Sequence, residues 1–282
     1  IPGGPVTTAL APTGYRRTMS GIERAWLIAH ELFAPFNNQV ILEGDGSLDA
    51  DAWRRAVQRA TAANPGARLA RHGWVGWTHW RDDGPPPPVI EVDGSGWDGR
   101  GPDGAPWLQR GLDPHRGPSV EVVLMHGPTP RVAIRSAHAV MDGRGTLAFA
   151  DELFRALRGE DCVGHPDPTT DREVFARAEV TPNPPHDDAY VAPTGTADGA
   201  HDGVVWARRT LTGRHRALLP RLALAVAAEA RRLHGADAPI RFDVPADLRR
   251  LAPEVRCTGN LAGMISLTPA ADDDLDAVSD AL

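Results

Sequence analysis

Ser136-Ala137-His138-Ala139-Val140-Met141-Asp142-Gly143-Arg144-Gly145 is the stretch on which the reading of this chain turns. Arg131-Val132-Ala133-Ile134-Arg135 runs into it, and period-two alternation puts Val132, Ile134, Ser136 and His138 on one face of a strand. Thr146 to Arg158 runs out of it. Ala150, Leu153, Phe154 and Leu157 have the spacing of one helix stripe, and Gly159 suits the C-terminal cap. An imidazole at the end of a buried strand, before a tight turn with small residues at Gly143 and Gly145, is held rigidly where a cleft can use it. His79-Trp80-Arg81-Asp82-Asp83-Gly84 has the same His/Asp/Gly spacing but meets Pro85-Pro86-Pro87-Pro88. No helix can follow there, so it reads as a surface loop.

Working outward, Ser119–Met125 alternates at Val120, Val122 and Leu124. Gly127-Pro128-Thr129-Pro130 turns it into the His138 strand as a hairpin. Towards the N-terminus, Ser20 and Glu23 form a capping-box pair for a helix carrying Ile22, Ala25, Trp26 and Ala29 inward. Asn38–Gly44 reads as a strand. Asp49 opens a helix with Trp53, Ala56, Val57 and Ala60 on one face, stopped at Asn64-Pro65-Gly66. Short strands are expected over Gly73–Trp80 and Val89–Val92, then a Gly/Pro/Asp-rich loop over Asp93–Pro118. Beyond the central helix, 161–203 is polar and reads as a linker. A strand over Val204–Leu211 follows. Next come a helix with Leu219, Leu222, Val226, Ala230 and Leu233 inward, a stop at Gly235, and a strand over Ile240–Pro245. The expected organisation is 1–160, 161–203 and 204–282.

The His138-xxx-Asp142-Gly143 pattern resembles the HxxxDG motif of the chloramphenicol acetyltransferase-like superfamily, which includes condensation domains of nonribosomal peptide synthetases and polyketide-associated acyltransferases. Phe242-Asp243-Val244-Pro245-Ala246-Asp247-Leu248-Arg249-Arg250, then Cys257-Thr258-Gly259-Asn260-Leu261, resembles the second-lobe "vPvDLR … tGN" region of the same enzymes. The resemblance implies an α/β (α+β) fold of two lobes with a cleft between them, strand–helix–strand units in both. It implies His138 as general base and Asp142 as a structural residue paired with an arginine, for which Arg68 in Asn64-Pro65-Gly66-Ala67-Arg68 stands at the matching place. Gly143 is the motif glycine. The implied reaction is transfer of an acyl group from a CoA or phosphopantetheinyl carrier-protein thioester to an amine or hydroxyl, in secondary-metabolite biosynthesis. No tightly bound cofactor is implied, and an acyl or peptidyl carrier protein is the implied partner.

Two features depart from the pattern. Many condensation domains have a second histidine directly before the catalytic one; here that position is Ala137, which on the strand alternation faces away from His138. That favours general acyl transfer over peptide-bond formation, which stays the alternative, with a non-catalytic docking module as a third reading. The second-lobe "DFGWG" stretch of the family does not occur, so the second lobe is expected to be incomplete over 204–282.

Composition narrows the rest. A net charge of −7 argues against general nucleic-acid binding. All 30 basic side chains are arginine, a bias of composition rather than of mechanism. Cys162 and Cys257 are far apart, which fits a reducing cytoplasm and no disulfide framework. No apolar run reaches membrane-spanning length. His186-Asp187-Asp188 and His201-Asp202 lack metal-ligand spacing and read as solvated loop. The arginine pairs 16–17, 54–55, 208–209, 231–232 and 249–250 read as solvated faces or contacts for an acidic carrier. Trp74, Trp77 and Trp80 read as core in preference to the lining of a substrate cleft.

Overall fold

The computed structural model describes residues 14–32, 35–74, 77–180 and 206–282. In chain order the elements begin with β1 (Arg16–Thr18), α1 (Gly21–Leu32), β2 (Asn37–Glu43), α2 (Ala50–Ala63), β3 (Ala70–His72), β4 (His79–Arg81) and β5 (Val89–Asp93). They continue with β6 (Val120–His126), β7 (Arg131–Ala137), α3 (Gly143–Leu157), α4 (Asp171–Arg177), α5 (Leu218–His234), β8 (Phe242–Asp247), β9 (Ala262–Leu267) and α6 (Leu275–Asp280). The fold is mixed α/β, as expected. Two compact units divide the chain. The first holds Ile1–Glu179, Gly203–Arg208 and Arg249–Leu261; the second holds Val180–Asp202, Arg209–Leu248 and Ala262–Leu282.

The first unit is built on a four-stranded sheet of order β2-β7-β6-β5. β6 and β7 form the expected antiparallel hairpin, β2 pairs antiparallel with β7, and β5 runs parallel to β6. Every residue of β7 is buried, because both faces of this central strand are covered. Val132 and Ile134 point into the core shared with α2 and α3, alongside Trp53, Val57, Phe149 and Leu153. Ala133 faces the other way, onto Val123, Met125, Trp97 and Leu108. The loop between β5 and β6 is therefore a second layer of core. Arg131 and Arg135 tie it down, donating to the carbonyls of Trp97 and Leu108. Helix α2 buries Trp53, Ala56, Val57 and Ala60 as their spacing requires, and Asp49 caps it by accepting from Asp51 and Ala52.

The structure departs from the sequence reading in several places. Helix α1 has the Ser20–Glu23 capping box, each side chain meeting the other's backbone N–H, but it buries Glu23 and Leu27. Glu23 goes inside because it meets Arg17 and accepts from the Trp80 indole N–H at 3.0 Å, so its charge is paired in the core. His79–Arg81 is strand β4, the middle of a second sheet of order β1-β4-β3, and not a surface loop. Trp80 is fully buried there, whereas Trp74 and Trp77 are exposed and are not core. Residues 161–179 open the stretch read as a linker. They belong to the first unit and include α4, closed by a Thr170–Glu173 capping box. His186, Asp187, Asp188, His201 and Asp202 lie outside the described residues.

In the second unit, β8 and β9 form an antiparallel ladder, with Val244 opposite Ile265. Of the strand expected over Val204–Leu211, Val204 and Val205 lie outside the described residues, and Trp206–Leu211 is not a strand and has no ladder partner among the described residues. Helix α5 buries Ala223, Ala227 and Ala230, packed with Phe242, Ile240 and Leu267. Leu219, Leu222, Val226 and Leu233 are exposed, contrary to the expected stripe. Methyl side chains let the helix backbone approach its neighbours closely, and the leucine face is left outside.

A buried polar cluster carries a pH prediction. Glu152 is fully buried and accepts from the backbone N–H groups of Val163 and Gly164 and from the Asn64 amide. The Asn64 Oδ1 atom lies 2.9 Å from His165 Nδ1, which donates to it. Burial holds the His165 pKa below its ordinary value, with nearby Glu152 opposing. The folded chain then binds fewer protons at this site than the unfolded chain just below pH ~6.5. Stability is expected to fall as pH drops through that value, and His165→Gln to flatten the dependence. Thermal unfolding of both proteins across the acid range measures it; parallel curves would remove His165 as a source.

Candidate active site

The residue His138 follows directly on β7, where the strand leaves the sheet. Its backbone N–H donates to the Phe36 carbonyl at 3.1 Å, and its own carbonyl accepts from the Asn260 amide at 2.8 Å. The loop beyond it turns tightly, the Val140 and Met141 N–H groups both returning to the Ala137 carbonyl. Met141 is held in turn by Asn38, whose amide donates to its carbonyl at 2.7 Å. The His138 main chain is thus fixed from three sides. Its side chain is half-buried, with Nδ1 shielded from solvent and lacking a hydrogen-bond partner among the described residues. The Trp26 and Phe36 rings lie against it, with centroids 4.4 and 5.6 Å away.

Asp142 has a different task. It is the N-cap of α3, and its Oδ1 accepts from the Gly145 N–H at 2.6 Å. Its Oδ2 accepts from the Leu261 N–H at 2.9 Å. Arg249 completes the set, donating to Oδ2 at 3.0 Å and Oδ1 at 3.3 Å. Both carboxylate oxygens are engaged, so the group is a structural anchor. The arginine is Arg249 and not Arg68. The Arg68 guanidinium is buried against Asp82 at 3.2 Å, within the strand system around β4. The physical reason is that Asp82 is itself buried and needs a cation, and Arg68 ends the helical turn that delivers one. Arg249 also donates to the carbonyls of Cys257 and Gly259, so one guanidinium fastens the 257–261 segment to the motif. The sequence signal for it was present in Asp247-Leu248-Arg249, but its partner could not be read from spacing alone.

The glycines divide the same way. A Cβ on Gly145 would lie 1.9 Å from the Thr258 carbonyl oxygen, whereas one on Gly143 would meet no atom within 4 Å. Close approach therefore needs Gly145, while Gly143 is the first residue of α3 and is not required by packing. Gly145→Ala is expected to cost about 1–3 kcal/mol by overpacking, and Gly143→Ala to stay within about 0.5 kcal/mol. Urea unfolding of the two variants compares them directly; equal stability would contradict this packing.

Comparison with known proteins bears on the fold. No family model matches the sequence, and no curated protein does. Among solved structures, the first condensation domain of the calcium-dependent antibiotic synthetase, in complex with a substrate analogue, matches with a TM-score of 0.65 and 19% identity over 94% of this chain and 73% of its own. The chain has the condensation-domain fold. The starter condensation domain of rhizomide synthetase, a variant in complex with C8-CoA and Leu-SNAC, matches with a TM-score of 0.61 and 13% identity over 95% of this chain and 69% of its own. At such identities the shared property is the fold. Within that condensation-domain fold, no group of His, Cys, Asp and Glu side chains able to hold a metal ion occurs among the described residues. No helix among them is long and apolar enough to cross a membrane.

Proposed function

We propose that this protein transfers an acyl group from a thioester to an amine or hydroxyl, with His138 as the general base. The observation that carries the reading is the isolation of His138 from its motif partner. Asp142 is saturated by Arg249, Gly145 and Leu261, and the imidazole stands apart from that network on a fixed backbone. With Nδ1 shielded, Nε2 is the nitrogen that meets a substrate. It takes the proton as the acceptor nitrogen or oxygen attacks the thioester carbonyl carbon. The tetrahedral adduct collapses, the C–S bond breaks, and the thiolate leaves with the proton returned by the imidazolium. No acyl-enzyme is formed.

The donor in this reading is acyl-CoA or a phosphopantetheinyl carrier-protein thioester, and the setting is a cytoplasmic secondary-metabolite pathway. The likeness to synthetase condensation domains favours an amine acceptor, and so keeps peptide-bond formation as the second reading. Two test conditions separate donor classes: C8-CoA, or a C8-loaded carrier protein, each offered with Leu-SNAC and with a free alcohol. Product formation from C8-CoA, read by mass spectrometry, is expected under the first reading. Turnover from the carrier-bound donor alone would favour condensation, and no product from either donor would count against acyl transfer.

A further inference from the structure

A catalytic imidazole is ordinarily oriented by an acceptor at the nitrogen that does not react. His138 has none: its Nδ1 is buried and has no hydrogen-bond partner among the described residues. What lies against the ring is aromatic. The Trp26 and His138 centroids are 4.4 Å apart with planes inclined by 34°. Phe36 and His138 are 5.6 Å apart at 29°, and Trp26 and Phe36 are 5.3 Å apart at 22°. The three rings form a triangle with their planes inclined to one another by 22 to 34°.

We propose that Trp26 and Phe36 are the positioning residues of His138, fixing the plane of its imidazole by ring contact in place of a hydrogen bond. The proposal rests on the reading of His138 as the base. Both rings are themselves well anchored. Trp26 stands one helical turn after Glu23, and Glu23 is locked in the core by Arg17 and Trp80. Phe36 is joined to His138 through the main chain, its carbonyl accepting the His138 N–H at 3.1 Å. The arrangement also suits the chemistry. As the ring takes a proton it gains positive charge, and a π face within about 6 Å attracts a cation. That attraction grows towards the transition state, so it acts on kcat rather than on substrate binding.

The test uses the full chain with 13C-labelled histidine, the His138 signals being identified by their loss in His138→Ala. Ring currents should displace the His138 imidazole protons upfield from those of exposed histidines. Trp26→Leu should move them back, and Trp26→Phe should keep most of the displacement. With C8-CoA and Leu-SNAC, Trp26→Leu should lower kcat about tenfold with KM nearly unchanged, and Trp26→Phe should restore most of it. Signals that stay in place in Trp26→Leu overturn the proposal. So does a raised KM with kcat intact, which would make Trp26 a wall for substrate. If Trp26→Leu does not fold, the smaller ring of Trp26→Phe must still reduce the displacement, or the proposal fails. If His138→Ala keeps full turnover, the base assignment fails, while the imidazole signals still decide the ring contact on their own.

Discussion

Turnover of the His138→Ala variant is expected to fall about 100-fold or more, with KM little changed and the fold intact. On the proposed reading, the activity loss follows from removing the proton acceptor of the acyl-transfer step. The intact fold follows from how the residue is held. Its N–H and carbonyl bond to Phe36 and Asn260 through the main chain, which alanine keeps. The imidazole Nδ1 bonds to no described residue, so its removal orphans no buried partner. Steady-state rates with C8-CoA and Leu-SNAC, beside circular dichroism of both proteins, measure the two halves of this expectation. Equal rates in folded wild type and variant would take His138 out of the mechanism.

Arg249→Met is expected to destabilise the first unit by about 3 kcal/mol, the low end of the range for breaking a buried ion pair. The low end applies because the Arg249 side chain retains 16% of its exposure, against 7% for Asp142. The substitution removes two charged donors from Asp142 and strips the carbonyls of Cys257 and Gly259 of theirs. Asp142 keeps the Gly145 and Leu261 N–H groups, so the helix cap survives in part. Asp142→Asn combined with Arg249→Met should cost less than the sum of the two single changes, because the sites share one network. Urea unfolding of the four proteins supplies the cycle. Strict additivity would show that the pair does not act as a unit.

Much of this architecture was legible because it is local. The β6–β7 hairpin, the α2 stripe and the Ser20–Glu23 capping box each depend on residues within a few positions of one another. The motif strand, turn and helix were found for the same reason. What failed depends on distance. Arg68 and Arg249 are equal candidates for Asp142 by charge. Only the competing burial of Asp82 beside Arg68 decides between them, and that is a property of the packed structure. Hydrophobicity ranks leucine above alanine and so points to the wrong face of α5, whereas the packed contact with Ile240, Phe242 and Leu267 is made through the smaller side chain. Trp26 and Phe36 carry no motif signal at all, since a ring's value to His138 lies in its angle and separation.

The segment that anchors the motif comes late. Arg249, Asn260 and Leu261 reach Asp142 and His138 across 107 to 122 residues of chain. Contacts of that separation close a long loop before they gain anything, and they slow folding accordingly. During synthesis from the N-terminus, the sheet and both core helices of the first unit emerge well before residue 249 does. The scaffold can therefore form first, with Asp142 capping its helix but lacking Arg249. A chain stopped before that residue would hold every letter of the His138 motif and still lack the Arg249 anchor of Asp142, so completion of that anchor is a check that the polypeptide has been made past its second unit's first strand.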